Sequence, residues 1–168
     1  MSDYDTPAAA PQAPADAAPQ LPGPDPALRK LDRFVGTWAM KGRTLDSDVD
    51  NVTARTSFEW LPGGNFLVQR FAADFMGMDI QSLEVIGYDP ATGTFPSTVY
   101  ANMAPVPLPY RWEIDGDDLR IRAEALNANF NGRWNDDGTV FSGGWRPDPG
   151  HEGDPGNVPY DISGSRAD

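Results

Sequence analysis

The sequence predicts a nearly all-β protein: an antiparallel, meandering β-barrel of about nine or ten strands, preceded by one short N-terminal helix. Three observations predict it. After residue 36 the apolar side chains fall mostly at every second position, the period of a strand with one face turned to a core. Short turn signals such as Pro-Gly-Gly and Asp-Gly separate these stretches. The connections are brief, which favours neighbours pairing in order around a closed wall; a Greek-key sandwich needs longer crossovers, and closure removes exposed edges.

Taken in order, residues 1–26 are rich in Ala and Pro and nearly devoid of large apolar side chains. Such a segment cannot bury enough surface to offset the entropy of ordering, so it reads as a disordered acidic tail, leaving 27–168 as the barrel domain. In "PDPALRKLDRFVG", Asp25 is a cap, Pro26 suits the first helical turn, and Leu28, Leu31, Phe34 and Val35 recur at helical spacing before Gly36. Gly36 turns the chain out of the helix. Trp38, alternating with Met40, then lies where its ring closes the barrel base against that helix, its indole N–H seeking a carbonyl.

In "NVTARTSFEWL" one face carries Val52, Ala54, Thr56, Phe58 and Trp60. "LPGGN" turns into "NFLVQRFAADF", which has apolar groups on both faces, and "MDIQSLEVIGYD" follows. The turn "DPATG" leads to "TFPSTVYA"; "LPYRWEI", "DGDD" and "LRIRAEA" form a hairpin, as do "NANFNGRW", "NDDG" and "TVFSGGW". "VPYDIS" is the last strand.

Charge and composition exclude several functions. Asp and Glu number 25 against 13 Lys and Arg, a net charge of −12, and no basic cluster interrupts the imbalance. Such a surface repels phosphate backbones and anionic lipid, so neither nucleic acid nor membrane is an expected partner. With no cysteine and a single histidine, which falls in a loop-like stretch, no thiolate or multi-histidine metal site can be built, a nucleophile–histidine triad is hard to build, and no metal is expected. "DGDDLRIRAE" lacks the ligand order of a calcium loop and reads as a hairpin turn. No run is long enough to span a membrane and the start has no secretory pattern, so the expected compartment is cytoplasmic.

The informative residues are aromatics and a few charges sharing faces with apolar groups. Phe58 with Trp60, Tyr110 with Trp112, and Phe130 with Trp134 each point to one side of a strand. They either line a cavity for a flat or greasy molecule or fill a solid core. Arg70 is in phase with Phe66, Val68 and Ala72, and Glu84 with Ile80 and Ile86. Turned inward, Arg70 binds a ligand carboxylate with Glu84 as its partner; turned outward, both are surface residues, the commoner place for charge. Arg120 and Arg122 read as a solvent face. "NMAPVPLP", through Met103, Val106 and Leu108, forms a lid over the barrel mouth, a cover for the core, or a homodimer contact.

"GTW" after a short helix resembles the start of calycin-type barrels, the lipocalins and fatty-acid-binding proteins. "LRKLDRFVGTW", "FEWLPGGNFLVQRF", "EVIGYDPATGTF" and "WNDDGTVFSGGW", in that order, resemble the bacterial family called domain of unknown function 1579, over residues 27 to about 146. The resemblance implies a lipocalin-like barrel with an interior pocket. A more distant similarity links the start to the nitrobindins, haem-binding barrels opening Gly-x-Trp-x-Gly-x-Gly. Gly36, Trp38 and Gly42 fit that opening and Met40 departs from it, while His151 falls in "PDPGHEGDPGN", an exposed loop unsuited to an axial ligand.

The leading expectation is therefore a binding barrel for a small hydrophobic or amphipathic molecule, with no cofactor. The candidate ligand-binding residues are Trp38, Phe58, Trp60, Arg70, Glu84, Tyr100, Tyr110, Trp112 and Phe130. The alternatives are a barrel enzyme of acid–base or isomerase type using Glu84 and Tyr100, a haem barrel, and an interaction module with a filled core.

Overall fold

The structure is a computed structural model, and it describes residues 21–167. The expected disorder of residues 1–26 therefore lies mostly outside the described residues. Ten antiparallel strands follow one another: β1 (Gly36–Thr44), β2 (Val52–Trp60), β3 (Leu67–Phe75), β4 (Met78–Ile86), β5 (Phe95–Ala101), β6 (Leu108–Asp115), β7 (Asp118–Ala123), β8 (Ala128–Trp134), β9 (Val140–Pro147) and β10 (Tyr160–Arg166). Each pairs with the next, and β10 returns to β1 with Trp38 opposite Arg166 and Thr44 opposite Tyr160, closing the barrel. Among the described residues no helix is long and apolar enough to cross a membrane.

The N-terminal helix, Pro26–Phe34, is wound as a 3₁₀ helix. Its buried side chains, Leu28, Leu31 and Phe34, are three residues apart, so three residues per turn stacks them on one line. Asp25 caps it, its Oδ1 accepting from the Ala27 N–H at 2.8 Å. The helix lies across one end of the barrel. Phe34 reaches inward to meet Phe58, Trp112, Trp134 and Phe141 with ring centroids 5.3–5.9 Å apart.

Trp38 completes this plug. Its ring packs on Trp134 at 5.0 Å and its indole N–H donates to the Phe34 carbonyl at 2.7 Å, the role expected of it. Gly36, at φ +118°, makes the turn from helix to strand, and an added Cβ would meet the Arg166 guanidinium at 2.7 Å. That guanidinium donates to the Val35 and Arg33 carbonyls and stacks on Trp38. The last strand thus fastens the first turn. Gly143, facing inward on β9, lets the Phe130 ring pass, since a Cβ there would come within 2.5 Å of Phe130 Cζ.

The four hairpin turns β2–β3, β4–β5, β6–β7 and β8–β9 surround the plugged end. The opposite end is the mouth, bounded by residues 45–51, the β3–β4 turn, residues 102–107, the short 3₁₀ turn Glu124–Leu126 and residues 148–159.

Because Phe34 joins four rings from four different strands, Phe34→Ala should lower unfolding free energy by about 3–5 kcal/mol. Denaturant titration of the two proteins checks this. Retention of wild-type stability would show that the plug contributes little.

Candidate functional site

The barrel is hollow above the plug. The cavity holds about 520 Å³, within the range of small-molecule sites, and is lined mainly by aromatic and aliphatic side chains. Of the candidate residues, Trp38, Phe58, Glu84, Tyr110, Trp112 and Phe130 line it. Three others are placed elsewhere. Trp60 shares the inward face of β2 but sits at the plugged end, where its indole donates to Asp32 of the helix at 3.0 Å. Arg70 points outward from β3, its side chain 64% exposed and paired with Glu59 at 3.4 Å. Tyr100 points outward from β5 and is 52% exposed.

The two residues part company: β3 turns Arg70 to solvent, the commoner place for charge, while β4 turns Glu84 into the barrel against that reading. The inward Arg70–Glu84 pair does not form, and Arg70 is corrected as a ligand-binding residue. β3 has Leu67 and Val68 buried on opposite faces, so its apolar pattern alone carries no sign of which face is inside. Arg120 is exposed as expected, whereas Arg122 is half-buried and pairs with Asp148 at 2.7 Å.

Glu84 is 5% exposed and is the one acidic side chain in the lining, which contains no Lys, Arg or His among the described residues. Three consecutive strands build its setting. Glu84 on β4 is opposite Val99 on β5, which brings Ser97 to its diagonal; Ser97 is opposite Tyr110 on β6, and Trp112 follows two residues later. Ser97 donates its hydroxyl to Glu84 Oε1 at 2.6 Å, and the Trp112 indole donates to the same oxygen at 2.7 Å.

Oε2 receives no such bond. Among the described residues no fully enclosed side-chain nitrogen or oxygen lacks a partner, so Oε2 opens onto the cavity. Burial pushes the Glu84 carboxyl up to about 7, against the opposing pull of the Ser97 and Trp112 hydrogen bonds. Burial likewise raises the Tyr110 phenol, which the Glu84 charge raises further, and the Tyr160 phenol on β10. Near neutral pH the cavity wall therefore carries one carboxyl divided between its charged and uncharged forms, beside two neutral phenols.

Sequence reasoning put Thr56 on the apolar face of β2 without assigning it to the site, and missed Tyr160 and the inward Ser97 and Gln69. Gln69 donates to the Thr56 hydroxyl at 3.0 Å, so these polar groups satisfy each other inside the barrel. Their period-two phase with Phe71, Phe95 and Phe58 was the available signal. The mouth loop 102–107 contributes Met103, Ala104, Pro105 and Val106 to the lining, and residues 155–158 face it from the other side. His151 lies outside the lining, its Nδ1 2.7 Å from Asp154 Oδ2 within residues 148–159. The imidazole that a haem reading requires is not presented to the cavity. Among the described residues no group of His, Cys, Asp or Glu is gathered for a metal ion.

The raised Glu84 carboxyl couples stability to pH. The folded form holds its proton up to about 7 while the unfolded chain releases it near 4.5, so Glu84's contribution falls as pH rises between these values. Glu84→Gln should match wild type near pH 4.5 and exceed it at pH 8, by on the order of 3 kcal/mol. Urea unfolding of both proteins across this range checks it. A constant difference would place the carboxyl in a wetter setting than the structure gives.

Comparison with known proteins agrees with this architecture. Rv2717c from M. tuberculosis, solved by crystallography, is similar at 14% sequence identity and a TM-score of 0.59, covering 86% of this chain and 99% of that one. That likeness concerns the fold. No curated protein matches the sequence. Residues 24–140 match the family model described as protein of unknown function DUF1579, the same family that the ordered motifs resemble, and the chain belongs to that family.

Proposed function

We propose that the protein binds a small hydrophobic or amphipathic molecule inside the barrel, as a carrier or sensor. One observation carries the reading: a cavity of about 520 Å³, blind at the helical end, walled by aromatic rings and interrupted by one carboxyl with a free oxygen. An apolar ligand entering it leaves water on nearly all sides, which stabilises the complex by roughly 25 cal/mol per Å² of apolar surface buried. The polar groups on β4, β5 and β6 supply orientation. The exposed apolar side chains at the mouth, Met103 and Val106 on one side and Val158 on the other, give a greasy molecule its first contact.

A second reading, acid–base catalysis, rests on the same carboxyl, which stands near the working pH of a general acid or base. Tyr110, which shares the cavity, takes the partner role first assigned to Tyr100. Activity on a small ketone or enone that vanishes in Glu84→Gln would favour it over binding alone.

Nile red fluorescence tests the binding reading. The dye should brighten with one equivalent of protein, and Ala101→Trp, which sets a bulky ring at the mouth end of β5, should weaken its binding at least tenfold. Ala101 is half-buried, so the ring has room and a thermal melt should stay close to wild type. Unchanged binding in a folded Ala101→Trp protein would place the dye elsewhere.

A further inference from the structure

We propose that the cavity selects hydrophobic amines: an apolar body among the aromatic rings, with a single protonated nitrogen seated against the free Oε2 of Glu84. This rests on the binding reading above and names the chemical class of ligand within it.

The argument begins with what the wall lacks. A fatty carboxylate needs a cation or several N–H donors in the barrel, and among the described lining residues there is no Lys, Arg or His. Of the four lining tryptophans, Trp112 donates its indole N–H to Glu84 and Trp38 to the Phe34 carbonyl, while Trp145 beside Tyr110 and Trp134 at the plug are lone neutral donors on separate strands. Charge in the cavity has one source, and it is negative. A buried carboxylate next to an incoming carboxylate is repulsive, whereas an ammonium supplies the partner that Oε2 does not have.

The geometry fits a nitrogen rather than a metal ion. Oε1 is held by two donors, which fixes the carboxyl plane and leaves Oε2 as one directed acceptor. One carboxylate oxygen suits a single ammonium; a hard cation demands six or more oxygens. Tyr110 stands opposite Ser97 on the neighbouring strand, and its ring packs against Trp145, giving aromatic faces near the charge for a cation to rest on.

The mouth points the same way. Asp46, Asp48 and Asp50 lie on the loop between β1 and β2, Asp74 and Asp79 flank the β3–β4 turn, and Glu152 lies in residues 148–159. A negative rim around a low-dielectric opening concentrates cations and repels anions before they enter. The rim and the interior thus favour the same charge.

The groups facing Glu84 define its titration. Ser97 of β5, Gln69 of β3 and Trp112 of β6 are uncharged, and the titratable neighbour is the phenol of Tyr110 on β6, whose own neighbour is the phenol of Tyr160 on β10. Both phenols stay protonated at neutral pH. His151, paired with Asp154 within residues 148–159, lies outside the lining.

The test uses three probes with one chain length: dodecylamine, dodecanol and dodecanoate, each below its micellar concentration, displacing Nile red from the full-length protein. Dodecylamine should bind most tightly and dodecanoate least, with amine over carboxylate by at least a hundredfold at pH 8. Between pH 6 and pH 8 the wild-type affinity for dodecylamine should rise roughly tenfold as the Glu84 carboxyl ionises. In Glu84→Gln the rise should vanish and the amine preference over the alcohol should collapse toward unity. The pH series on the unmodified protein keeps the test intact if the variant folds poorly. Dodecanoate binding as well as dodecylamine would overturn the inference, and so would dodecanol binding with no gain for the amine; either result leaves the hydrophobic barrel standing. Absence of binding by Nile red and all three probes would remove the carrier reading and this inference together.

Discussion

The seating of Phe34 among four aromatic rings is the constraint on which the rest of the molecule depends. A ten-stranded barrel is wide enough that its inward side chains do not fill it unaided, so an unplugged barrel would be an open tube wetted from both ends. Phe34 and Trp38 close one end with rings drawn from β1, β2, β6, β8 and β9, and Arg166 of β10 clamps the turn behind them. Those bulky groups are concentrated at the base. The upper half mixes rings such as Tyr110, Trp145 and Phe75 with slimmer residues, Ala73, Ser82 and Val99 among them, and stays hollow. A plug at one end and a cavity at the other follow from where the helix inserts its Phe34 ring.

Glu84 belongs to that hollow half, and stability does not explain it. Removing a carboxylate from water costs several kcal/mol, and two neutral donors on one oxygen recover only part of that. A glutamine or a methionine there would satisfy the wall with less penalty. A fold that tolerates such a group bears a strain on its stability at neutral pH, a pattern expected of groups that serve binding or catalysis. The same reasoning separates Glu84 from Glu59, whose exposed pairing with Arg70 is screened by solvent and contributes little either way.

Much of the wall was legible in the sequence because most strands keep polar and apolar residues on separate faces. In β2, Val52, Thr56 and Phe58 are buried while Thr53, Arg55 and Glu59 face outward, so period two reads correctly. β6 and β8 behave the same way through Tyr110 with Trp112 and Phe130 with Trp134. The pattern fails where both faces are mixed. In β5 the inward set is Phe95, Ser97 and Val99 and the outward set is Pro96, Thr98 and Tyr100, two lists of similar character, so Tyr100 could be misplaced without violating any local rule. The 3₁₀ winding of the helix was present in the strict three-residue spacing of Leu28, Leu31 and Phe34, but Val35 beside Phe34 completes an equally good α-helical stripe.

What no single strand can disclose is the pairing register that assembles the site. Glu84, Ser97 and Trp112 stand on three neighbouring strands, and they converge because Glu84 is opposite Val99 and Phe95 is opposite Trp112. A slip of one residue between β4 and β5 would turn Ser97 outward and strip Oε1 of a donor while exposing Phe95, so packing of Phe95 and Ile86 at the base enforces the polar contact higher in the barrel. This is also why likeness to Rv2717c stops at the fold. At 14% identity, two barrels can share strand order and closure while the few inward positions that decide charge and shape differ freely. The wall is held by many interchangeable apolar residues; the chemistry depends on three that the register must bring together.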